Sequence, residues 1–439
     1  MPEAFKLKQV FSRGMPTVTY VRREHLGLEQ ELRKAVDRGY AIIAVTGPSK
    51  CGKTVLRRTV IPDNVVAHVE GGQVSLEDDF WETIRAHLEI PISESQTAAK
   101  QTGDSSAFGL SVGPSVAKAS LQFRETGGST RTNTRNFSGP QKGLLLKTLA
   151  DRNDVLVVDD FHYIGNGTRA KIVRSLKSAI FDGLTVVMLS VPYRAFDVLT
   201  AETEMEGRFI HLLIPKWSKG DLIKIAQQGF PTLGLEVAHE IQMRFAEEAL
   251  GSPLLMQSLC AQLCSDFDTF ETENPTKTID VNMLDLEKLF RAVARDFGLP
   301  AFTKLSAGPQ SRKDRNPRSF SNGQKGDIYE AVLAAVAYSG ANEATSYNDL
   351  RSALRDVLTE TPPLKHEVTR AIQQMCDIAK KMQVRNALVR DQQDELAVAN
   401  DKDVSDVPTI DWQDDTLQIN DVFLRFYLRW IHRDKVAAP

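Results

Sequence analysis

The sequence predicts an α/β protein: a parallel β-sheet with helices on both faces, then a helical lid module, then a C-terminal domain of helices and short strands. Three observations carry this. Apolar runs at 40 to 45 (YAIIAV), 154 to 158 (DVLVV) and 184 to 191 (LTVVMLSV) have the length of strands and the uniformity of strands covered on both sides. Amphipathic stretches lie between them, as parallel strands need a crossover. Beyond residue 215, helical patterns follow one another without strands.

Composition sets the bounds. A chain of 439 residues exceeds one ordinary core, so two or three domains are expected. Its 42% hydrophobic and 25% charged residues are globular averages, which excludes wholesale disorder. A formal charge of −3 gives no overall attraction for nucleic acid or anionic lipid, so such a contact would need a local patch. Cys51, Cys260, Cys264 and Cys376 show no metal-like pairing with histidines; Cys260 and Cys264 stand four apart in an apolar helical run, as buried thiols of a reducing compartment would. The amino terminus lacks the apolar core of a secretion signal, and no apolar stretch approaches the length of a membrane span, so a cytoplasmic location away from membranes is expected.

In chain order, residues 1–16 form an N-terminal extension and 17–215 the sheet domain. Residues 17 to 36 begin with a β-rich piece and become an amphipathic helix; 40 to 47 make a strand, KTVLRRTVI a helix, and 76 to 90 another helix. Residues 91–140 are rich in Ser, Thr and Gly. Phe108, Leu110 and Val112 alternate before Gly113-Pro114, and Leu121 and Phe123 alternate after it, the pattern of an inserted hairpin that is either simply solvated or an arm for a partner. Strands at 154 to 160 and 184 to 191 flank the helix KIVRSLKSAIFDG. The lid module, 216–300, reads as helices alone (KGDLIKIAQQGF, LEVAHEIQMRFAEEAL, SPLLMQSLCAQLCSDF). A polar, basic linker spans 301–326. In 327–439, three helices, the short segments NALVRD, PTIDW and TLQIN, and a closing helix VFLRFYLRWIHRDK suggest a winged-helix domain.

The chemistry gathers at residues 45 to 56, VTGPSKCGKTVL. Gly47, Gly52, Lys53 and Thr54 fit Gly-x-x-x-x-Gly-Lys-Thr, placed after a buried strand and before a helix, where the motif has its meaning. Glycines let the backbone of Gly47, Pro48, Ser49, Lys50, Cys51 and Gly52 curl so that its N–H groups surround phosphate oxygens, and the helix amino terminus at Lys53, Thr54 and Val55 adds partial positive charge. Lys53 would reach the β and γ phosphates, and the Thr54 hydroxyl would hold Mg²⁺. About a hundred residues on, four apolar residues deliver Asp159 and Asp160 to the carboxyl end of a strand. Asp159 would orient Mg²⁺ through water, and Asp160 would position or deprotonate the attacking water. Ser190, at the end of the third strand, either senses the γ phosphate or only caps the strand. Arg194 is a weaker candidate. Arg208 either stabilises the transferring phosphoryl group, in its own subunit or a neighbouring one, or packs on the surface.

Gly47 to Thr54, Asp159-Asp160, Ser190, Gly207-Arg208-Phe209 and Gly251-Ser252-Pro253 follow one another in the order found in the AAA+-related STAND ATPases, signal-transduction ATPases akin to origin-recognition ATPases and plant resistance proteins. The chain resembles that family over about residues 17 to 437, leaving the inserted hairpin outside the shared part. TYVRREHL (19 to 26) is similar to the family's opening segment, which places Tyr20 and Val21 near adenine, although Arg22 stands where glycine is usual. Pro253 resembles the Gly-x-Pro proline that contacts nucleotide, and LQINDVFLRFYLRWI the end of the family's winged helix. No arginine of the kind many AAA+ motors carry at that lid helix is present, which departs from a processive motor.

The resemblance implies ATP or ADP as cofactor with Mg²⁺, slow hydrolysis, a winged helix folded onto bound ADP, and homo-oligomers once ATP replaces it. No nuclease, protease, TIR-like or repeat segment is visible, so a separate effector or sensor protein is expected, in a layout that suits bacterial defence or signalling. The alternative is a DNA-binding AAA+ ATPase of the origin-recognition or transposition type that loads on duplex DNA through the winged helix and Lys304, Arg312, Lys313, Arg315, Arg318 and Lys325.

Overall fold

A computed structural model describes residues 4–90, 137–191, 203–310, 315–388 and 409–433. The central sheet holds five parallel strands: β1 (Ile42–Thr46), β2 (Val66–Glu70), β3 (Val155–Asp159), β4 (Thr185–Ser190) and β5 (Phe209–Leu213). Their spatial order is β2-β3-β4-β1-β5. Alternation divides the strands between two cores. Ile42, Leu156, Val158, Val186 and Met188 face Phe80 and Trp81 of the helix Glu77–His87, Leu149 of Gly139–Arg152 and Leu176 of Asn166–Phe181. Ile43, Val45, Val157, Val187 and Leu189 face Leu32 of the helix Leu28–Arg38 and Leu56 of Lys53–Val60. The chain leaves β1 toward β2 and leaves β4 toward β5, in opposite directions, which opens a crevice at the carboxyl edge of the sheet.

Both edge strands lack the uniform apolar signal. In β2 the exposed His68 interrupts the run, and in β5 the exposed His211 does the same while sharing a 2.7 Å hydrogen bond with Thr46 Oγ1. An edge strand has one face less well covered, so a polar residue costs little there. Residues 17 to 23, expected to open with β structure, form no strand. Their hydrogen bonding goes to the amino-terminal segment instead: the Thr19 hydroxyl donates to Val10 O at 2.7 Å.

The second layer is the helical module: Lys219–Thr232, His239–Glu248, Pro253–Asp266 and Leu286–Asp296 around Phe230, Phe245, Leu259 and Phe290. It is not wholly helical. β6 (Leu235–Val237) pairs in parallel with β7 (Lys277–Ile279), because Leu235 and Val237 point inward on either side of an exposed Glu236. The amino-terminal extension belongs to this core: Val10 and Phe11 are buried in it, and Phe11 packs edge-on against Phe230 with ring centroids 5.1 Å apart. A Cβ on Gly229 would lie 2.3 Å from the Phe11 ring, so a glycine is needed for that approach.

The described part of 301–326 is built into the C-terminal domain rather than strung as a linker. Ala301 and Leu305 of the helix Leu299–Ala307, and Phe320 beside the hairpin of β8 (Arg318–Ser319) and β9 (Lys325–Gly326), are buried in that domain's core. The same core holds the helices Ile328–Tyr338, Tyr347–Val357 and Lys365–Leu388, with an antiparallel sheet of β10 (Ala344–Ser346), β11 (Ile410–Gln413) and β12 (Thr416–Ile419) in the order β10-β12-β11. The first three residues of NALVRD end the long helix rather than form a wing segment. In the final helix, Val422–Tyr427, Leu424 faces the C-terminal core and Phe426 the helical module, so one short element joins two cores. The four cysteines are unpaired and buried. No described helix is long and apolar enough to cross a membrane. The expected hairpin at 91–136, Arg194, Arg312 and Lys313 lie outside the described residues.

Candidate functional site

β1 ends at Thr46 and the chain turns at once into the glycine loop, with Lys50 at φ 62° and Gly52 at φ 99° before the helix Lys53–Val60. Gly47 has no room for a side chain: a Cβ would lie 2.7 Å from Ile214 O and 2.8 Å from Cys51 Sγ. Lys53 is buried and folds back over the loop, its Nζ donating to Gly47 O and Pro48 O at 3.0 Å each. Thr54 Oγ1 donates to Asp159 Oδ2 at 2.8 Å, joining the first turn of this helix to the end of β3. The other Asp159 oxygen accepts from Asp160 N at 2.9 Å, so the carboxylate is held at both ends.

Asp160 takes a left-handed conformation, φ 52°. Burial pushes its carboxyl up to about 6, the Asp159 charge adding to the rise and Lys53 and Lys50 opposing it. Beside it, Gly71 directly follows β2; a Cβ there would lie 2.3 Å from Asp160 O. Glycine at 71 is what lets these two strand ends approach.

Between loop and helical module lies a cavity of about 420 Å³, within the roughly 300–1,000 Å³ usual for small-molecule sites. Ser49, Lys50, Cys51, Gly52, Lys53, Thr54 and Asp160 line it, with Tyr20, Val21, Val55 and Pro253, which the sequence singles out, and with Met15, Ile225 and Leu254, which it does not. Tyr20 donates to Glu29 Oε1 at 2.8 Å, and burial, then that carboxylate, pushes its phenol up to about 12. Pro253 opens a helix capped by Ser252, whose hydroxyl accepts from Leu255 N at 3.3 Å. Trp217 Nε1 donates to Cys51 O at 2.8 Å, while the Arg23 guanidinium lies 4.6 Å over the Trp217 ring and donates to Pro215 O at 3.0 Å. These two side chains tie the loop to the start of the helical module; a lone tryptophan and a lone arginine carry no signal in sequence.

Two expected residues stand elsewhere. Ser190 is 2% exposed, opposite Thr46 in register, with no hydroxyl partner among the described residues, and it does not line the cavity. Arg208 immediately precedes β5, whose Phe209 pairs with Ile42 at the start of β1, whereas the glycine loop follows β1's other end. Its guanidinium lies 4.2 Å over the Phe181 ring. Parallel strands place a preceding residue at the amino edge, so Arg208, contrary to one expectation, does not reach its own subunit's cavity and packs on the exposed Phe181 instead. In the basic segment, Arg315 pairs with Asp327 at 2.5 Å and Arg318 lies 3.5 Å from Glu360, while Lys304 and Lys325 are exposed.

No protein-family model matches the chain, and no curated protein matches it. Solved structures do. A Walker-type ATPase of Pyrococcus abyssi is similar over 94% of this chain and 100% of its own, at 12% identity and TM-score 0.49. The ORC2 protein of Aeropyrum pernix, in ADPNP–ADP complexes, is similar over 99% and 100%, at 12% identity and TM-score 0.49. Cdc6p of Pyrobaculum aerophilum is similar over 98% and 99%, at 12% identity and TM-score 0.40. This chain's own sheet, with its glycine loop after β1, fits a P-loop NTPase fold.

Proposed function

We propose that the chain is an ATP-binding and ATP-hydrolysing switch of the STAND type that controls its own assembly or a partner protein. The observation that carries this is the 2.8 Å bond between Thr54 Oγ1 and Asp159 Oδ2. It sets a hydroxyl and a carboxylate, both hard oxygen donors, beside a loop that already holds a buried lysine. That pair suits Mg²⁺, which takes one or two protein oxygens and fills its shell with phosphate and water. Bound there, Mg²⁺ would neutralise charge on the β and γ phosphates. Lys53 exchanges its two loop carbonyls for phosphate oxygens, and the amides of Ser49 to Thr54 hold the chain of phosphates. Asp160 orients or deprotonates the attacking water, and Arg208 serves the site of a neighbouring copy.

The C-terminal part supports the switch. Its helices and three-stranded sheet are consistent with a winged helix. The backbone of Gly71–Gln73, just beyond β2, runs beside the helix Lys365–Leu388. Asp421, whose carboxyl is pushed up by burial, feels the charge of Lys50 in the glycine loop. A domain so placed responds to what the loop holds, and exchange of ADP for ATP shifts the population toward an open, assembling form. The duplex-loading alternative has less support, since Arg315 and Arg318 are already engaged within the domain.

The test is to identify any nucleotide that copurifies, then to size the protein with ADP and with a non-hydrolysable ATP analogue. Retained ADP and larger assemblies with the analogue are expected. Failure of ATP to bind, or to change assembly, sinks the switch, and salt-sensitive duplex binding at equal occupancy would favour the alternative.

A further inference from the structure

The helix Pro253–Asp266 also bounds the cavity, and Gln257, one turn after Pro253, lines it with Met15, Val21 and Leu254. Gln257 is 5% exposed. Its Nε2 donates to Thr19 Oγ1 at 2.7 Å. The direction of that bond follows from the next one, because the Thr19 hydroxyl spends its single hydrogen on Val10 O at 2.7 Å and can only accept from Gln257. The amide is therefore fixed with nitrogen toward Thr19. Its oxygen, Oε1, is buried and has no partner among the described residues. Of the residues lining the cavity, Gln257 alone leaves a buried side-chain polar atom in this state, again among the described residues. A buried acceptor without a donor is costly, so a ligand that brings one gains and a ligand that brings a second acceptor loses.

We infer that Gln257 reads the base: its Oε1 accepts a hydrogen bond from the exocyclic amine of adenine, making the site selective for adenine nucleotides over those with a 6-keto purine. The inference rests on the nucleotide reading of the same cavity. With phosphates at Lys53 and Thr54, the base falls to the apolar part of the lining, to which Gln257 belongs beside Thr19, Tyr20 and Val21. Guanine and hypoxanthine carry a carbonyl oxygen where adenine carries its amine. They would set oxygen against oxygen, and the Thr19–Val10 bond prevents the amide from turning to suit them.

Calorimetric titration of the full chain with ADP, IDP and GDP tests this. ADP is expected to bind about tenfold or more tightly than either 6-keto nucleotide. Gln257→Leu keeps an apolar wall and removes the acceptor, so it should weaken ADP and strengthen IDP until the two bind alike. Should that variant not fold, Thr19→Val serves instead: it frees the amide to turn, and the ADP preference should fall several-fold as GDP gains. Equal binding of all three nucleotides by the unaltered protein overturns the inference and leaves the nucleotide site standing. An ADP preference that survives the variant which folds also overturns it. Binding of none of the three removes both.

Discussion

Lys53 shows how much of this site is decided by single side chains. A buried ammonium needs partners, and in the described structure they are two carbonyls of its own loop. Phosphate oxygens would replace them with charge-assisted bonds. Lys53→Ala should therefore abolish detectable ADP and ATP binding by calorimetry while the protein still folds; retained affinity would contradict its role. Asp160→Asn should spare binding and slow phosphate release at least about a hundredfold, the scale of a lost general base. Asp160 also makes a pH prediction for the nucleotide-free protein in a chelator. Its carboxyl is raised from 3.8 to about 6, so between those values the folded state holds a proton that the unfolded chain has released. Its contribution to stability thus falls as pH rises through that window and is level above it. Urea unfolding at about pH 4.5 and pH 6.5 should show this slope reduced in Asp160→Asn; identical slopes would mean that Asp160 titrates normally.

At the scale of elements, the strand ends matter more than the strands. Gly71 follows β2 at once, and Asp160 O stands where a Cβ on residue 71 would be. Gly71→Ala must push the end of β2 from the end of β3, at a cost of roughly 1–3 kcal/mol by urea denaturation. It should also lower the hydrolysis rate more than the affinity for ADP, because Asp160 moves and Lys53 does not. A variant as stable and as active as the parent would show that these ends have slack. Trp217 acts the same way between elements, its indole holding Cys51 O and its face carrying Arg23.

Across the whole molecule, the C-terminal domain is tied far more firmly to the helical module than to the sheet. Phe297 stacks on Phe423 with centroids 4.6 Å apart, and Phe290 lies 4.6 Å from Trp430. Glu248, 3% exposed, accepts from Arg429 Nη1 at 3.1 Å and from Trp430 Nε1 at 2.9 Å. Toward the sheet domain the described residues show the passage beside Gly71–Gln73 and the proximity of Asp421 to Lys50. Helical module and C-terminal domain should therefore move as one body against the sheet. Glu248→Ala takes the shared acceptor from two half-buried donors, and a loss of about 1–2 kcal/mol is expected, with earlier proteolysis at the C-terminal helix. Unchanged unfolding and proteolysis would show that the aromatic stack alone holds the two together.

What the sequence determined by itself is short-range. Ile42–Thr46, Val155–Asp159 and Thr185–Ser190 were legible because strands covered on both faces exclude polar residues, and the loop at Gly47–Thr54 because an anion wrapped in backbone demands glycine at particular places. The tertiary structure decided the rest. It set the edge strand β2, whose histidine hides the pattern, and the pairing of β6 with β7 over a long gap. It sent Arg208 to the far edge of the sheet and built the supposed linker into a core. It also brought Gln257 to Thr19, 238 residues away in the chain. Periodicity and turn chemistry report what a residue does with its near neighbours; which distant surfaces meet depends on how whole elements pack, and no local pattern encodes that.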